Sequence, residues 1–78
     1  MKLILYGTDF CQLCDEALEV VEQALEGRQY QLEIVDISAS DELMAKYAYT
    51  IPVLGFENTE LGWPFSSNDV LNFVAKNS

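Results

Sequence analysis

The segment LILYGTDFCQLC, residues 3–14, contains the features from which the rest of the fold can be worked out. A short apolar run opens it, and the turn-forming residues Gly7, Thr8 and Asp9 follow. Apolar runs of this length, bounded by turn residues, are typical of a buried β-strand and are too short for a stable helix. We therefore predict a first strand over Lys2–Tyr6, with a pair of cysteines shortly after it.

The residues that follow have the periodicity of an amphipathic helix, which Gly27 would end. Apolar side chains recur at steps of three and four residues, at Cys14, Ala17, Leu18, Val21, Ala24 and Leu25. Acidic side chains cover the other side, at Asp15, Glu16, Glu19, Glu22 and Glu26. We interpret this acidic face as a solvated surface rather than as a docking site for a basic partner.

Two further elements follow this helix. Partial alternation and an apolar finish predict a second strand over residues 30–37. Behind it, Ser38 or Ser40 could cap a short helix. The inward-facing side chains of that helix are predicted to be Leu43, Met44, Tyr47 and Ala48.

The last third of the chain predicts a β-hairpin and a closing helix. Residues 50–54 form a strand with proline near its start, where the missing N–H is not needed. Gly55 is the candidate connection to an antiparallel partner strand over 56–61. Ser66 and Asp69 then have the spacing of a capping box. The last helix would bury Val70, Leu71, Phe73 and Val74.

The predicted element order is therefore βαβαββα. A strand-helix-strand unit requires a right-handed crossover between parallel strands, and a hairpin followed by a helix can extend that sheet. A chain of 78 residues is too short to fill two hydrophobic cores. We predict an α/β fold in one domain, residues 1–78, with a four-stranded mixed sheet flanked by three helices.

The composition excludes several classes of function. Thirteen acidic residues against four basic ones give a formal charge of −9, which opposes binding to nucleic acid and to anionic membranes. The N-terminal residues do not combine basic side chains with a long apolar stretch, as a signal peptide or a membrane span would. We therefore expect a cytoplasmic protein. The absence of histidine excludes Ser/His and Cys/His catalysis.

The two cysteines lie at the junction of the first strand and the first helix. At such a position the unpaired N–H groups and the positive end of the helix dipole favour the thiolate of Cys11. Cys14 lies on the apolar stripe, so we expect it to be the more buried sulfur and to resolve a mixed disulfide formed on Cys11. The carboxylates of Asp9, Asp15 and Glu16 oppose a further negative charge, and the sequence leaves the balance open.

Other interpretations of these residues remain. The cysteines could be half of a zinc site, although structural zinc needs four ligands and the chain would have to dimerise or add carboxylates. They could also be inert core residues. Trp63 and Phe65 could form an apolar platform near the cysteines, but aromatic side chains more often fill a core, which is the interpretation we favour.

Taken together, the strand Leu3–Tyr6, the Cys11–Cys14 motif and the Thr50–Val53 segment resemble the glutaredoxin branch of the thioredoxin-fold superfamily over nearly the whole chain. The resemblance implies a cis Ile51–Pro52 bond beside the cysteines, with the Ile51 backbone free to pair with an extended thiol substrate. A trans proline is the alternative. The implied attacking and resolving thiols are Cys11 and Cys14. The implied substrate-binding edge is Thr50, Ile51 and Pro52. Further candidates for substrate binding are Phe10, Gln12, Leu13 and Trp63.

The sequence departs from that family at three places. Gln12-Leu13 replaces the usual Pro-Tyr pair between the cysteines, and Thr8-Asp9 replaces an upstream lysine. The usual Gly-Gly and Asp before the last helix are replaced within residues 62–66. Glutathione is anionic, so the loss of a cation and the gain of acids disfavour it as the partner.

We therefore expect a thiol–disulfide oxidoreductase that acts in electron transfer and cell redox homeostasis. Its substrate would be a disulfide-containing protein or a glutathione mixed disulfide, and a thiol reductant would regenerate it. We expect a monomer with no bound cofactor or metal, and glutathione is a candidate cosubstrate. The alternatives are a non-catalytic thioredoxin-like binding module that uses the Ile51–Pro52 edge and the Trp63 loop, and a metal or iron–sulfur site shared across a dimer.

Overall fold

A computed structural model describes residues 1–77 of the chain. Its strands and α-helices follow one another in the predicted order βαβαββα, with one additional 3₁₀ turn over Ile37–Ala39. The elements are β1 (Lys2–Gly7), α1 (Gln12–Ala24), β2 (Gln31–Asp36), α2 (Asp41–Tyr47), β3 (Val53–Phe56), β4 (Thr59–Gly62) and α3 (Ser67–Lys76).

The four strands form one mixed sheet in the order β2-β1-β3-β4. β1 pairs with β2 in parallel, and β3 is antiparallel to both β1 and β4. This confirms the predicted α/β thioredoxin-like architecture. The register places Gly7 opposite Asp36, and Val53 between Tyr6 and Gly62. These five residues mark one end of the sheet, which we call the cysteine end because α1 and its cysteines follow β1 there.

The main hydrophobic core lies between the sheet and the helices α1 and α3. Leu3 and Leu5 of β1 face it, because alternate residues of a strand point to the same side. The buried members are Leu3, Leu5, Ala17, Val21, Leu25, Leu54, Phe56, Phe65, Val70, Phe73 and Val74. This core fixes where α1 begins relative to the sheet.

A second, smaller cluster lies on the other face of the sheet, under α2. Tyr47 stacks on Tyr6 with ring centroids 4.4 Å apart, and its hydroxyl donates a hydrogen bond to the carboxylate of Glu60. Burial and this carboxylate hold the pKa of the Tyr47 hydroxyl above its usual range. Gly55 leaves the room for this pair, because a Cβ there would lie 3.3 Å from the Tyr6 ring.

The starts of α2 and α3 agree with the sequence patterns, whereas α1 ends at Ala24, before the predicted stop at Gly27, because residues 25–27 form a turn. The hydroxyl of Ser40, not that of Ser38, caps α2 by accepting the Leu43 N–H at 3.3 Å. At α3 both bonds of the predicted capping box form, since Ser66 accepts the Asp69 N–H at 3.1 Å and Asp69 accepts the Ser66 N–H at 2.9 Å. These caps satisfy N–H groups that a helix leaves unpaired.

The predicted hairpin connection at Gly55 is wrong. Gly55 lies inside β3, where it is opposite Glu60, and β3 continues to Phe56. The chain reverses at Glu57 and Asn58, which have φ angles of 52° and 65°. A two-residue turn with both central residues left-handed matches the twist of a hairpin, and asparagine adopts that conformation readily.

Three other expectations need correction. Met44 was predicted to face inward but is exposed, because α2 packs on the sheet through Tyr47 and Leu43. The second strand ends at Asp36 instead of residue 37, because Ile37 opens the 3₁₀ turn. The third strand spans Val53–Phe56 instead of residues 50–54, because the N–H groups of Thr50 and Ile51 bond to the Tyr47 carbonyl and not to a neighbouring strand.

The hairpin turn generates a prediction about stability. Glu57→Asn should raise the free energy of unfolding by about 0.5–1 kcal/mol, because a glutamate held at positive φ is strained and asparagine is less so. Glu57→Gln is the matched control, since it removes the same charge but keeps the unfavourable side-chain geometry. Urea denaturation measures both variants. Equal stability of the two would show that the turn is not strained at this residue.

Candidate functional site

The cysteine pair begins helix α1. Cys11 is the N-cap residue, with an extended backbone (φ −104°, ψ 103°), and its sulfur accepts the N–H of Cys14 at 3.1 Å. This is the predicted position at the first turn, where the helix leaves N–H groups unpaired and its dipole is positive. The Cys11 sulfur thus occupies the place in which a serine or aspartate oxygen usually caps a helix.

The sulfurs of Cys11 and Cys14 are joined in a disulfide, with the two Cα atoms 5.2 Å apart. That separation lies inside the range that disulfides normally require. Both cysteines are half-buried, whereas Gln12 and Leu13 between them are exposed. The arrangement allows the pair to exist as a disulfide without displacing the start of α1.

Gly7 lies next to the sulfur of Cys14. It was not predicted as a site residue, because its sequence context suggested only a turn. It is buried at the end of β1, and a Cβ at this position would lie 2.9 Å from the Cys14 sulfur. Real Cβ atoms do not approach so closely. The useful signal would have been a glycine at the end of the strand that precedes the two cysteines.

The loop from Thr8 to Phe10 connects β1 to the cysteines. Phe10 has a φ of 57° and its side chain is fully exposed. At the end of β2, hydrogen bonds from the hydroxyl and N–H of Ser38 lower the pKa of the Asp36 carboxyl, and the Thr8 hydroxyl contributes to the same effect. Asp36 is opposite Gly7 in the sheet, so its carboxyl lies close to the start of this loop.

The Ile51–Pro52 bond is cis, as the resemblance implied. Pro52 is buried, and its carbonyl accepts the Trp63 N–H at 3.1 Å. The N–H of Ile51 donates to the Tyr47 carbonyl at 3.1 Å, which takes one of the two Ile51 backbone groups that were expected to be free for substrate. Thr50 also donates to that carbonyl, at 2.9 Å through its N–H. A second cis bond, Trp63–Pro64, was not predicted.

The register of the sheet brings all the predicted site residues to the cysteine end. Phe10–Leu13 follow the end of β1, Thr50–Pro52 precede the start of β3, and Trp63 follows the end of β4. The Trp63 ring is half-buried, packs edge-on against Phe65 with centroids 5.1 Å apart, and contacts the main core. Its contacts therefore favour the core interpretation over that of an apolar platform.

The charge around the pair is negative. Asp9, Asp15 and Asp36 lie on the segments that meet at the cysteine end, and none of the chain's four Lys and Arg residues is on those segments. Lys2 pairs with Glu33 at 3.7 Å and Lys46 pairs with Glu60 at 3.8 Å. The other two are Arg28, which precedes β2, and Lys76, in the last turn of α3. The site therefore offers no cation to an anionic ligand.

Within residues 1–77, no three Cys, Asp or Glu side chains converge as ligands for a metal ion. In the same part of the chain, none of the helices combines the length and apolar character that crossing a lipid bilayer requires.

The fold and the half-buried cysteine pair define a thioredoxin-like protein with a CxxC motif. The chain belongs to the glutaredoxin-like domain family (DUF836), whose model matches residues 2–75. This confirms the resemblance inferred from the sequence. A search of the curated proteins found no match.

Solved structures agree with this assignment. The crystal structure of the structural-genomics target XcR50 from X. campestris is 32% identical, with a TM-score of 0.87 over 97% of this chain and 99% of that one. The solution structure of XcR50 is 33% identical, with a TM-score of 0.83 over 100% and 97%. Thioredoxin 1 from Thermosipho africanus TCF52B, 20% identical with a TM-score of 0.69 over 97% and 92%, shares the fold.

The contact beneath the cysteines generates a second prediction. Gly7→Ala should lower the free energy of unfolding of the oxidised protein by about 1–3 kcal/mol, because the new methyl group overlaps the tethered Cys14 sulfur. Gly62→Ala is the matched control, since a Cβ there meets nothing within 4 Å. Guanidinium denaturation compares the two.

Removing the Cys14 sulfur tests whether its overlap with the new methyl group causes the loss of stability. In a Cys14→Ala background the cost of Gly7→Ala should shrink, because the atom at 2.9 Å is gone. An oxidised Gly7→Ala protein as stable as Gly62→Ala would contradict the assignment of Gly7 as a steric support of the pair.

Proposed function

We propose that this protein is a thiol–disulfide oxidoreductase that reduces protein disulfides or mixed disulfides through Cys11 and Cys14. The observation that carries the proposal is the bonded pair at the start of α1, with the Cys11 sulfur accepting a helix N–H at 3.1 Å. A sulfur in that place gains from the unpaired amides and from the helix dipole when it is ionised. The thiolate is the nucleophilic form.

The reaction begins with the reduced pair. The Cys11 thiolate attacks one sulfur of the substrate disulfide, so that a bond forms between Cys11 and that sulfur and the other substrate sulfur leaves as a thiolate. Cys14 then loses its proton and attacks the Cys11 sulfur, which forms the Cys11–Cys14 disulfide and releases the second substrate thiolate. Two electrons pass from the protein to the substrate, and the released thiolates take up protons.

A thiol reductant must return these two electrons. Glutathione is a candidate, but its negative charge meets Asp9, Asp15 and Asp36 without a compensating cation. This favours a protein dithiol as the reductant and a protein disulfide as the substrate. Because the reaction needs a compartment in which thiols are kept reduced, we place the protein in the cytoplasm. We also expect the protein to act as a monomer.

Matched serine substitutions test the roles of the two sulfurs. Cys11→Ser should lower the turnover of a small mixed-disulfide substrate at least a hundredfold, because no thiolate remains at the N-cap. Cys14→Ser makes the same change three residues away and should instead accumulate a covalent complex with the substrate, visible as a mass increase. The assay supplies glutathione in one arm and thioredoxin with its reductase in the other.

Equal turnover by Cys11→Ser and the unmodified protein would refute the proposal. If the double serine variant retained binding to a partner while no form of the protein turned over substrate, the alternative of a non-catalytic binding module would replace it.

A further inference from the structure

A small groove lies beside the disulfide, between the start of α1 and β2. Its volume is about 210 Å³, and its lining includes Asp9, Phe10, Cys14, Asp15, Leu18 and Ile34. We call it the Cys14 groove. It is smaller than the roughly 300–1,000 Å³ of typical small-molecule and cofactor sites, so its size suits a single side chain.

Part of the lining of the Cys14 groove is apolar and exposed. Phe10 is fully exposed and Ile34 is 61% exposed, although both are large hydrophobic residues. Phe10 is also held at a φ of 57°, a conformation that non-glycine residues rarely adopt. Neither Phe10 nor Ile34 belongs to the core clusters, so folding does not require a large hydrophobic side chain at either position. An aliphatic chain placed between them would cover both.

The lining of the Cys14 groove is also acidic. Asp9 and Asp15 line the groove and are exposed, and the lining contains no Lys or Arg. The neighbouring Asp36 keeps its charge, because hydrogen bonds from Ser38 lower the pKa of its carboxyl. A groove lined by both apolar and anionic side chains is complementary to lysine and arginine, which combine a long aliphatic stem with a cationic head.

We propose that the Cys14 groove binds a lysine or arginine side chain of the protein whose disulfide exchanges with Cys11. This inference rests on the proposed function and specifies its substrate class: a protein with a basic residue close to its redox-active cysteine. Cys14, whose sulfur is bonded to that of Cys11, lines the groove, so that a side chain bound there lies beside the disulfide. Recognition of this kind selects among disulfides that are chemically alike.

Exchange rates with short disulfide peptides test the proposal. Two peptides of the same sequence, one with lysine and one with glutamate two residues from the disulfide-bonded cysteine, are mixed with the reduced protein. The rate constant for the lysine peptide should exceed that for the glutamate peptide roughly tenfold at low salt, and the ratio should fall as salt is added. The ratio is the readout because any change in the intrinsic reactivity of Cys11 cancels in it.

Variants of the protein locate the effect. Asp9→Asn/Asp15→Asn should bring the ratio close to one, and Ile34→Ser should lower it by removing an apolar wall. Glu22→Gln/Glu26→Gln is the control with the same change in net charge, at exposed positions in the last turn of α1 and just beyond it, and should keep the ratio. Equal loss in this control would show that net charge alone is responsible and would overturn the proposal.

A binding measurement separates the inference from the proposed function. The lysine peptide with serine in place of cysteine should shift the amide resonances of Phe10 and Ile34 more than the glutamate peptide does. Exchange with both peptides at equal rates and no such shift would overturn the groove assignment while leaving the oxidoreductase intact. Absence of exchange with any peptide would refute the oxidoreductase itself, and these amide shifts would still decide whether the groove binds a basic side chain.

Discussion

The hydrogen bond from the Cys14 N–H to the Cys11 sulfur is the contact on which the rest of the site depends. At 3.1 Å it makes a sulfur, instead of an oxygen, the cap of α1, so the Cys11 sulfur and the start of the helix cannot be moved separately. The helix is in turn held by the main core through Ala17 and Val21, both fully buried. Below the sulfurs, the missing side chain of Gly7 lets the helix approach β1. The packing of α1 in the core therefore fixes the position of the disulfide.

The same geometry sets two electrostatic effects against each other. The amides and dipole at the start of α1 favour a negative sulfur, whereas Asp9 and Asp15 disfavour it. A site of this kind gains little reactivity from local cations but repels anionic thiols and attracts cationic surfaces. In the function that we propose, the acidic surroundings serve selectivity for a partner more than nucleophilicity. The cis bond at Pro52 and its hydrogen bond to Trp63 complete the same end of the sheet.

Periodicity and end signals predicted the strands, the helices and the sheet, because each element of this short chain buries one clearly patterned face. The hairpin turn escaped prediction because Gly55 looked like the stronger turn residue, while its actual role is to accommodate the Tyr6 ring within the sheet. The position of the cysteine pair followed from the sequence alone. The contribution of Gly7 and the Cys14 groove did not, because they arise where the loop around Phe10 meets Ile34, and only the folded chain brings these segments together.

The most direct test of the account is a redox titration of the unmodified protein, in which the two sulfurs are read by the mass added on alkylation after equilibration in thiol–disulfide buffers. The account predicts one reversible transition in which both thiols appear together, as a two-electron couple requires. It also predicts that Cys11 of the reduced protein is alkylated at lower pH than Cys14, because the N-cap position stabilises its thiolate. A pair that does not interconvert reversibly, or in which Cys14 reacts first, would contradict it.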